Sequence, residues 1–386
     1  MTVDASLNRR AYRPELDGMR TLAVMVVVAF HAQVSGFDGG FIGVDMFFVL
    51  SGYLITGLLV NEAAGGSVDL RRFYARRSRR LLPASLLAIT AIAVTWLLTA
   101  SFVARRPLIG DARAASLYFA NWHFAAQATD YFAIGNQPSP YLHFWSLAVE
   151  EQFYMVWPAV VVACFAIGRR VQQSTGLVVV RVVGALAALA SVISVLATSA
   201  AGNESFAYFA THNRVYQLLG GGLLGTVAIR TSDARWVRWV QSISLATIVG
   251  VALSVAHLSP TSRGLVTTVT TLALLWSVSA APTNAVGKVF ALRPLVWLGT
   301  LSYAIYLWHW PTILVLQRVT RLNNVVVFAA ATGTSIALAV VSKHLLEHPI
   351  RTSARLSRHH LQVVGAGLAL SALIGLTVAP RLLEST

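Results

Sequence analysis

Cysteine, acidic residues and charge in general are scarce in this chain. One residue of 386 is cysteine, Cys164, and it lies inside an apolar run. A lone cysteine excludes an internal disulfide and any metal site built from several thiolates, so no metal centre is expected. Inside such a run it reads as a packing residue. Charged residues make up 12% of the chain. Soluble domains carry about 25%, so an ordinary soluble domain is excluded. Only 15 Asp and Glu stand against 30 Lys and Arg, a formal net charge of +15. In a soluble protein that excess would point to nucleic acid. Here the basic residues fall in segments between apolar runs, and no nucleic-acid partner is expected. A cleavable signal peptide is not expected either. The first apolar run follows Arg9, Arg10, Arg13 and Arg20 and has no small-residue cleavage site, so it reads as a retained span. No period of roughly 20–50 residues is apparent, which argues against a solenoid.

What the chain does have is apolar sequence: 56% of residues are hydrophobic and the mean hydropathy is +0.65. A run of about 20 apolar residues crosses a bilayer. Eleven candidate spans can be placed, at 20–36, 42–60, 82–101, 142–167, 177–200, 214–229, 239–257, 264–281, 295–316, 323–342 and 361–379. The segment 107–125 reads as an additional short or re-entrant helix. The expected fold is an all-α polytopic membrane protein bathed in membrane lipid. With the N-terminus inside, the inside segments carry 22 of the 30 Lys and Arg residues. That asymmetry predicts a cytoplasmic N-terminus and a C-terminus outside.

Several constellations of residues could carry chemistry. Arg20 and His31 lie within the first span, eleven positions apart. At about 100° and 1.5 Å per residue they share one helical face, about 16 Å apart along the axis. Ionisable groups in a lipid-spanning helix are costly and suggest function. The plainer readings are a snorkelling anchor for Arg20 and a hydrogen-bonded packing residue for His31. Neutral histidine is a good general base near pH 7. Further on, His143, Glu150 and Tyr154 follow one another at helical spacing and share a face. Glu151 points about 100° away from Glu150, so the two carboxylates should have different partners. They are either a clamp between spans or a group that orients a catalytic histidine.

The basic stretch 71–80 reads as a cytoplasmic loop. Arginine forks suit phosphate, and Arg76, Arg77 and Arg80 are the candidates, the last two spaced to face one ligand. Asp45 sits in the first turn of the second span, where a carboxylate complements the helix dipole. Ser51-Gly52 allows close helix approach. In 298–311 the aromatic residues fit an interfacial belt, and His309 reads as a structural hydrogen-bonder.

Taken in order, these segments resemble the acyltransferase-3 family, membrane acyltransferases that include O-antigen acetylases. The opening YRPELDGMRTLAVMVVVAFHA is similar to that family's Arg-X10-His signature. GGFIGVDMFFVLSGYLIT, FYARRSRRLLPA, HFWSLAVEEQFYMVWP, LGTLSYAIYLWHWP and LLEHPIR resemble its later landmarks. The resemblance covers residues 12–352 and implies a ten-span domain over 1–352. Residues 353–386 would add a basic linker, an eleventh span and a short extracytoplasmic tail. The family implies a bacterial inner-membrane enzyme. It would move an acyl group, commonly acetyl, from cytoplasmic acyl-CoA to a hydroxyl of a glycan or similar acceptor. The acyl-CoA is a co-substrate, and no permanently bound cofactor is expected.

By the motif match, Arg20 and His31 carry over as essential, with Glu150 and the Arg77/Arg80 pair as further candidates. His31 would serve as base or acyl carrier, and Glu150 or His143 would orient it. Arg76, Arg77, Arg80 and Arg20 would hold the CoA phosphates. Members with an eleventh span often continue into an SGNH esterase-like domain. No Gly-Asp-Ser block appears among these residues: either an SGNH-type domain follows in a longer chain, or it is absent here or supplied by a separate partner. The rival reading is a proton-coupled transporter or channel using a buried Arg/His/Glu relay. It predicts inverted repeats with broken helix pairs, and none is apparent.

Overall fold

The computed structural model describes residues 12–132, 138–171, 175–232 and 234–385. Among them no strand occurs. Eleven helices coincide with the predicted spans: α1 (Pro14–His31), α2 (Gly43–Ala64), α3 (Leu70–Thr99), α4 (Phe144–Val171), α5 (Thr175–Ala200), α6 (Val215–Gly225), α7 (Arg235–Ala252), α8 (Pro260–Ala280), α9 (Arg293–Val319), α10 (Asn324–Ser342) and α11 (His360–Leu373). The segment 107–125 forms two short helices, Leu108–Ser116 and Ala120–Ala126.

The basic stretch 71–80, expected as a loop, is instead the first part of α3. Asp69 caps that helix, its carboxylate accepting the Arg72 N–H at 3.0 Å. Arginine is a good helix former, so nothing local ends the helix before the apolar run begins. Hydropathy marks where a chain can enter lipid, whereas a helix can start well before that point.

Among the described residues, six helices are long and apolar enough to cross a membrane: α2, α3, α4, α5, α10 with its extension to Thr352, and α11 continued to Glu384. The expected ten or eleven spans are not all of this kind. At 1.5 Å per residue the 11-residue α6 is about 16 Å long, well short of a hydrocarbon core of about 30 Å. The remaining helices, α1, α7, α8 and α9, are 18 to 27 residues long and fall outside that set.

The core lies where α1, α2, α4 and α9 meet. Of the apolar stretch containing α2, 72% is buried inside the protein, whereas for α11 the figure is 17%. The first is therefore a central helix and the second a peripheral one that leans on α3. Close approach of α2 and α6 depends on glycine at two facing positions. A Cβ on Gly52 would strike the Leu218 backbone, and one on Gly221 would strike the Val49 carbonyl. In lipid, contact of this kind replaces the hydrophobic effect as the force between helices.

Candidate active site

Among the described residues, two cavities adjoin the predicted site residues. The first measures about 120 Å³ and is lined by Arg20 of α1, Ser51 of α2, Arg77 and Arg80 of α3, Glu150 and Tyr154 of α4, and Tyr306 of α9, among others. Its polar atoms are arranged unevenly. Glu150 accepts hydrogen bonds from the Ser51 and Tyr154 hydroxyls. Arg77 lies 3.0 Å over the Tyr154 ring and 3.4 Å from Glu151. Glu150 and Glu151 thus take different partners, as their 100° offset requires. The Nε atoms of Arg20 and Arg77 are buried and have no hydrogen-bond partner among the described residues. Buried donors without partners are expensive. Three guanidinium groups around one small cavity make it a place for an anion with several acceptor oxygens. Arg76, the fourth candidate, faces elsewhere and pairs with Glu62 at 2.9 Å.

The second cavity is far larger, about 1150 Å³, and its wall includes His31, Tyr131, Asp38, Asp111, Asp130 and Trp310. Arg20 and His31 therefore face different cavities from one helix, as their separation along α1 permits. His31 Nδ1 lies 2.8 Å from His309 Nε2, and His31 Nε2 lies 2.8 Å from the Tyr131 hydroxyl. His309 Nδ1 lies 2.6 Å from the Tyr306 carbonyl oxygen. These contacts fix the protons by elimination. A carbonyl only accepts, so His309 Nδ1 carries hydrogen, and in the neutral ring Nε2 keeps the lone pair. His31 must then donate from Nδ1, which leaves its own Nε2 basic. That nitrogen accepts from Tyr131, whose phenol is pushed well above its ordinary pKa by burial and so stays protonated. The basic nitrogen of His31 is thus the one at the larger cavity.

Glu150 and His143 were the expected partners of His31, but the imidazole is held by His309. Glu150 is committed to Ser51 and Tyr154 in the other cavity. His143 directs Nε2 at the Leu307 carbonyl, 3.1 Å away, and its ring lies 5.8 Å from that of His309. Sequence reasoning therefore missed the direct neighbours of His31. For His309 the three-residue step from Tyr306 is the helical spacing that joins those two, but it says nothing of His31. For Tyr131, in an irregular segment, there was no signal. Asp45 has a role beyond the helix dipole: it is buried, 3.2 Å from Arg214 and 2.7 Å from Gln217.

A family model described as an acyltransferase domain, that of acyltransferase-3, matches residues 13–344. The chain belongs to this family. YrhL of Bacillus subtilis (strain 168), provisionally named a peptidoglycan O-acetyltransferase, is 35% identical over 356 residues, which cover 88% of this chain and 55% of that protein. The peptidoglycan O-acetyltransferase OatA of Listeria monocytogenes serovar 1/2a is 33% identical over 356 residues, covering 89% and 56%. The O-acetyltransferase OatA of Staphylococcus aureus (strain NCTC 8325 / PS 47) is 30% identical over 362 residues, covering 88% and 57%. The chain thus spans little more than half the length of these curated acyltransferase relatives. No solved structure matches it.

Proposed function

We propose that this chain is a membrane O-acyltransferase that moves an acetyl group from cytoplasmic acetyl-CoA to a hydroxyl of a cell-envelope glycan. The acyl group and the glycan class follow the names of the relatives. The observation that carries the reading is the pairing of cavities around one helix: an arginine-lined pocket at Arg20, and a large cavity at the basic nitrogen of His31. Arg20, Arg77 and Arg80 hold phosphate oxygens of the donor through charge-assisted hydrogen bonds. Glu150 keeps Tyr154 in place beneath Arg77. The acceptor hydroxyl enters the larger cavity and replaces the Tyr131 hydroxyl at His31 Nε2.

His31 then acts as general base. The acceptor O–H bond breaks and its proton goes to Nε2 while the oxygen bonds to the acyl carbon. The C–S bond breaks with its electrons on sulfur. The imidazolium returns a proton, and CoA leaves as the thiol. His143 packs behind His309 and supports the cluster. The basic asymmetry of the sequence supports an arginine pocket on the cytoplasmic side of a bacterial inner membrane. Membership of an acyltransferase family leaves the transporter alternative without support.

The test uses purified chain in detergent or nanodiscs with acetyl-labelled CoA and a soluble peptidoglycan fragment. The expected result is release of free CoA thiol together with a base-labile acetyl ester on the fragment. Folded protein that binds no acetyl-CoA and releases no thiol would overturn the reading.

A further inference from the structure

We propose that His309 is a positioning residue, which fixes His31 in the tautomer that presents Nε2 to the acceptor. The inference rests on the reading of His31 as general base. A neutral histidine has two tautomers, and in water the form with hydrogen on Nε2 is the more populated. That form would turn a donor, not a base, towards the large cavity. The protein must therefore impose the less populated form, and it does so through the bond made by the other nitrogen.

The geometry suits that role. The planes of the His31 and His309 rings differ by only 15°, and their centroids lie 5.0 Å apart while the nearest nitrogens are 2.8 Å apart. Those values together place the rings edge to edge in nearly one plane. In that arrangement an N–H and a ring lone pair point at each other. His309 is itself fixed one step further back, by the Tyr306 carbonyl 2.6 Å from Nδ1. A backbone carbonyl within a helix cannot turn over or change protonation state. The order of protons from Tyr306 to His31 is therefore set by main chain.

All three groups are buried: His309 and His31 are 0% and 7% exposed, and Tyr306 is 5% exposed. Water is thus kept from serving as an alternative acceptor for His31 Nδ1–H. When Nε2 takes a proton, the same His309 lone pair accepts a charge-assisted hydrogen bond from the imidazolium. His309 neither touches the acyl group nor takes the proton. It acts through His31, as the orienting carboxylate acts on histidine in the serine triad.

Two variants separate this role from packing. In His309→Gln, the side-chain amide oxygen reaches the position of Nε2 and still accepts from His31. His309→Leu keeps bulk and removes the acceptor. The expected result is a kcat lowered by at least about tenfold in His309→Leu, with KM for acetyl-CoA little changed and much of kcat recovered in His309→Gln. The independent readout is nitrogen-15 NMR of histidine-labelled protein, with the His31 signals assigned by their loss in His31→Gln. The unsubstituted chain should show a protonated Nδ1 and an unprotonated Nε2 at His31, a pattern lost in His309→Leu. An unchanged His31 pattern in His309→Leu would overturn the proposal, as would equal kcat in the two variants. Lack of acetyl-CoA turnover in the unmodified chain would instead remove the proposed function, and the NMR pattern would still report the tautomer.

Discussion

The guanidinium of Arg214 lies 3.2 Å from the Asp45 carboxylate and 4.2 Å over the ring of Tyr208. Both members of the ion pair are buried. Asp45 opens α2 and Arg214 immediately precedes α6, so the pair ties together the two helices whose glycines already allow close approach. The Tyr208 ring in turn stacks on Tyr131, with centroids 4.6 Å apart and planes at 27°. Tyr131 is the residue that meets His31. A charge pair remote from the chemistry thus ends, through two aromatic rings, at the proposed base.

Removal of one partner should be worse than removal of both. Asp45→Leu or Arg214→Leu alone leaves a buried charge unpaired, at a cost of about 3–5 kcal/mol. The double substitution leaves no charge, and its cost should fall well below the sum. Unfolding of the detergent-solubilised protein, followed for the four members of the cycle, checks this. Strict additivity would show that the two side chains do not depend on one another.

Donor affinity should divide the basic residues of α3. Arg77→Ala and Arg80→Ala, on the pocket wall, should each weaken acetyl-CoA binding by about 1.5–3 kcal/mol. Arg76→Ala, whose side chain pairs with Glu62 off that wall, should leave it unchanged. Titration calorimetry with CoA reads all three. Equal affinities across the set would remove the pocket as the donor site.

The general base should tolerate no substitution. His31→Ala and His31→Gln should both lose acetyl transfer while still binding CoA, because glutamine hydrogen-bonds but takes no proton at neutral pH. Glu150→Gln should behave differently. Its carboxylate accepts from Ser51 and Tyr154 in the arginine pocket, so the change should raise KM for acetyl-CoA and leave the pH profile of kcat in place. Near-normal transfer by His31→Gln would move the base to another residue.

Orientation can be read with single cysteines in a Cys164→Ala background. Ser357→Cys and Gln127→Cys are both at exposed positions. On intact cells a membrane-impermeant thiol reagent should label position 127 and spare position 357. The reverse pattern would invert the assignment of the arginine pocket to the cytoplasmic side.

The helices were legible because lipid-facing sequence must be apolar over a fixed length, a requirement that acts locally. Arg77 and Arg80 were legible for the same kind of reason: three-residue spacing decides which side chains share a face. Their secondary structure was not, since hydropathy registers charge and is blind to a helix that begins in a basic stretch. The partner of His31 was beyond reach. His309 is 278 positions away, and no periodicity within one helix says which imidazole of another helix it will meet. Asp45 shows the same limit. Its place in the first turn of α2 could be read, but its pairing with Arg214, 169 positions on, depends on how α2 and α6 come together.

Tyr306 lines one cavity, His31 lines the other, and His309 joins them. Under the proposed function, Tyr306, His309 and His31 therefore stand in series between the donor and acceptor cavities. Neither the nucleotide nor the sugar has to travel through the bilayer. Two carbons change owner at a fixed place, and the molecules on each side return the way they came. Such a protein needs no alternating access. Its permeability barrier can stay shut through the whole cycle, since the membrane is traversed by a bond exchange and not by a solute.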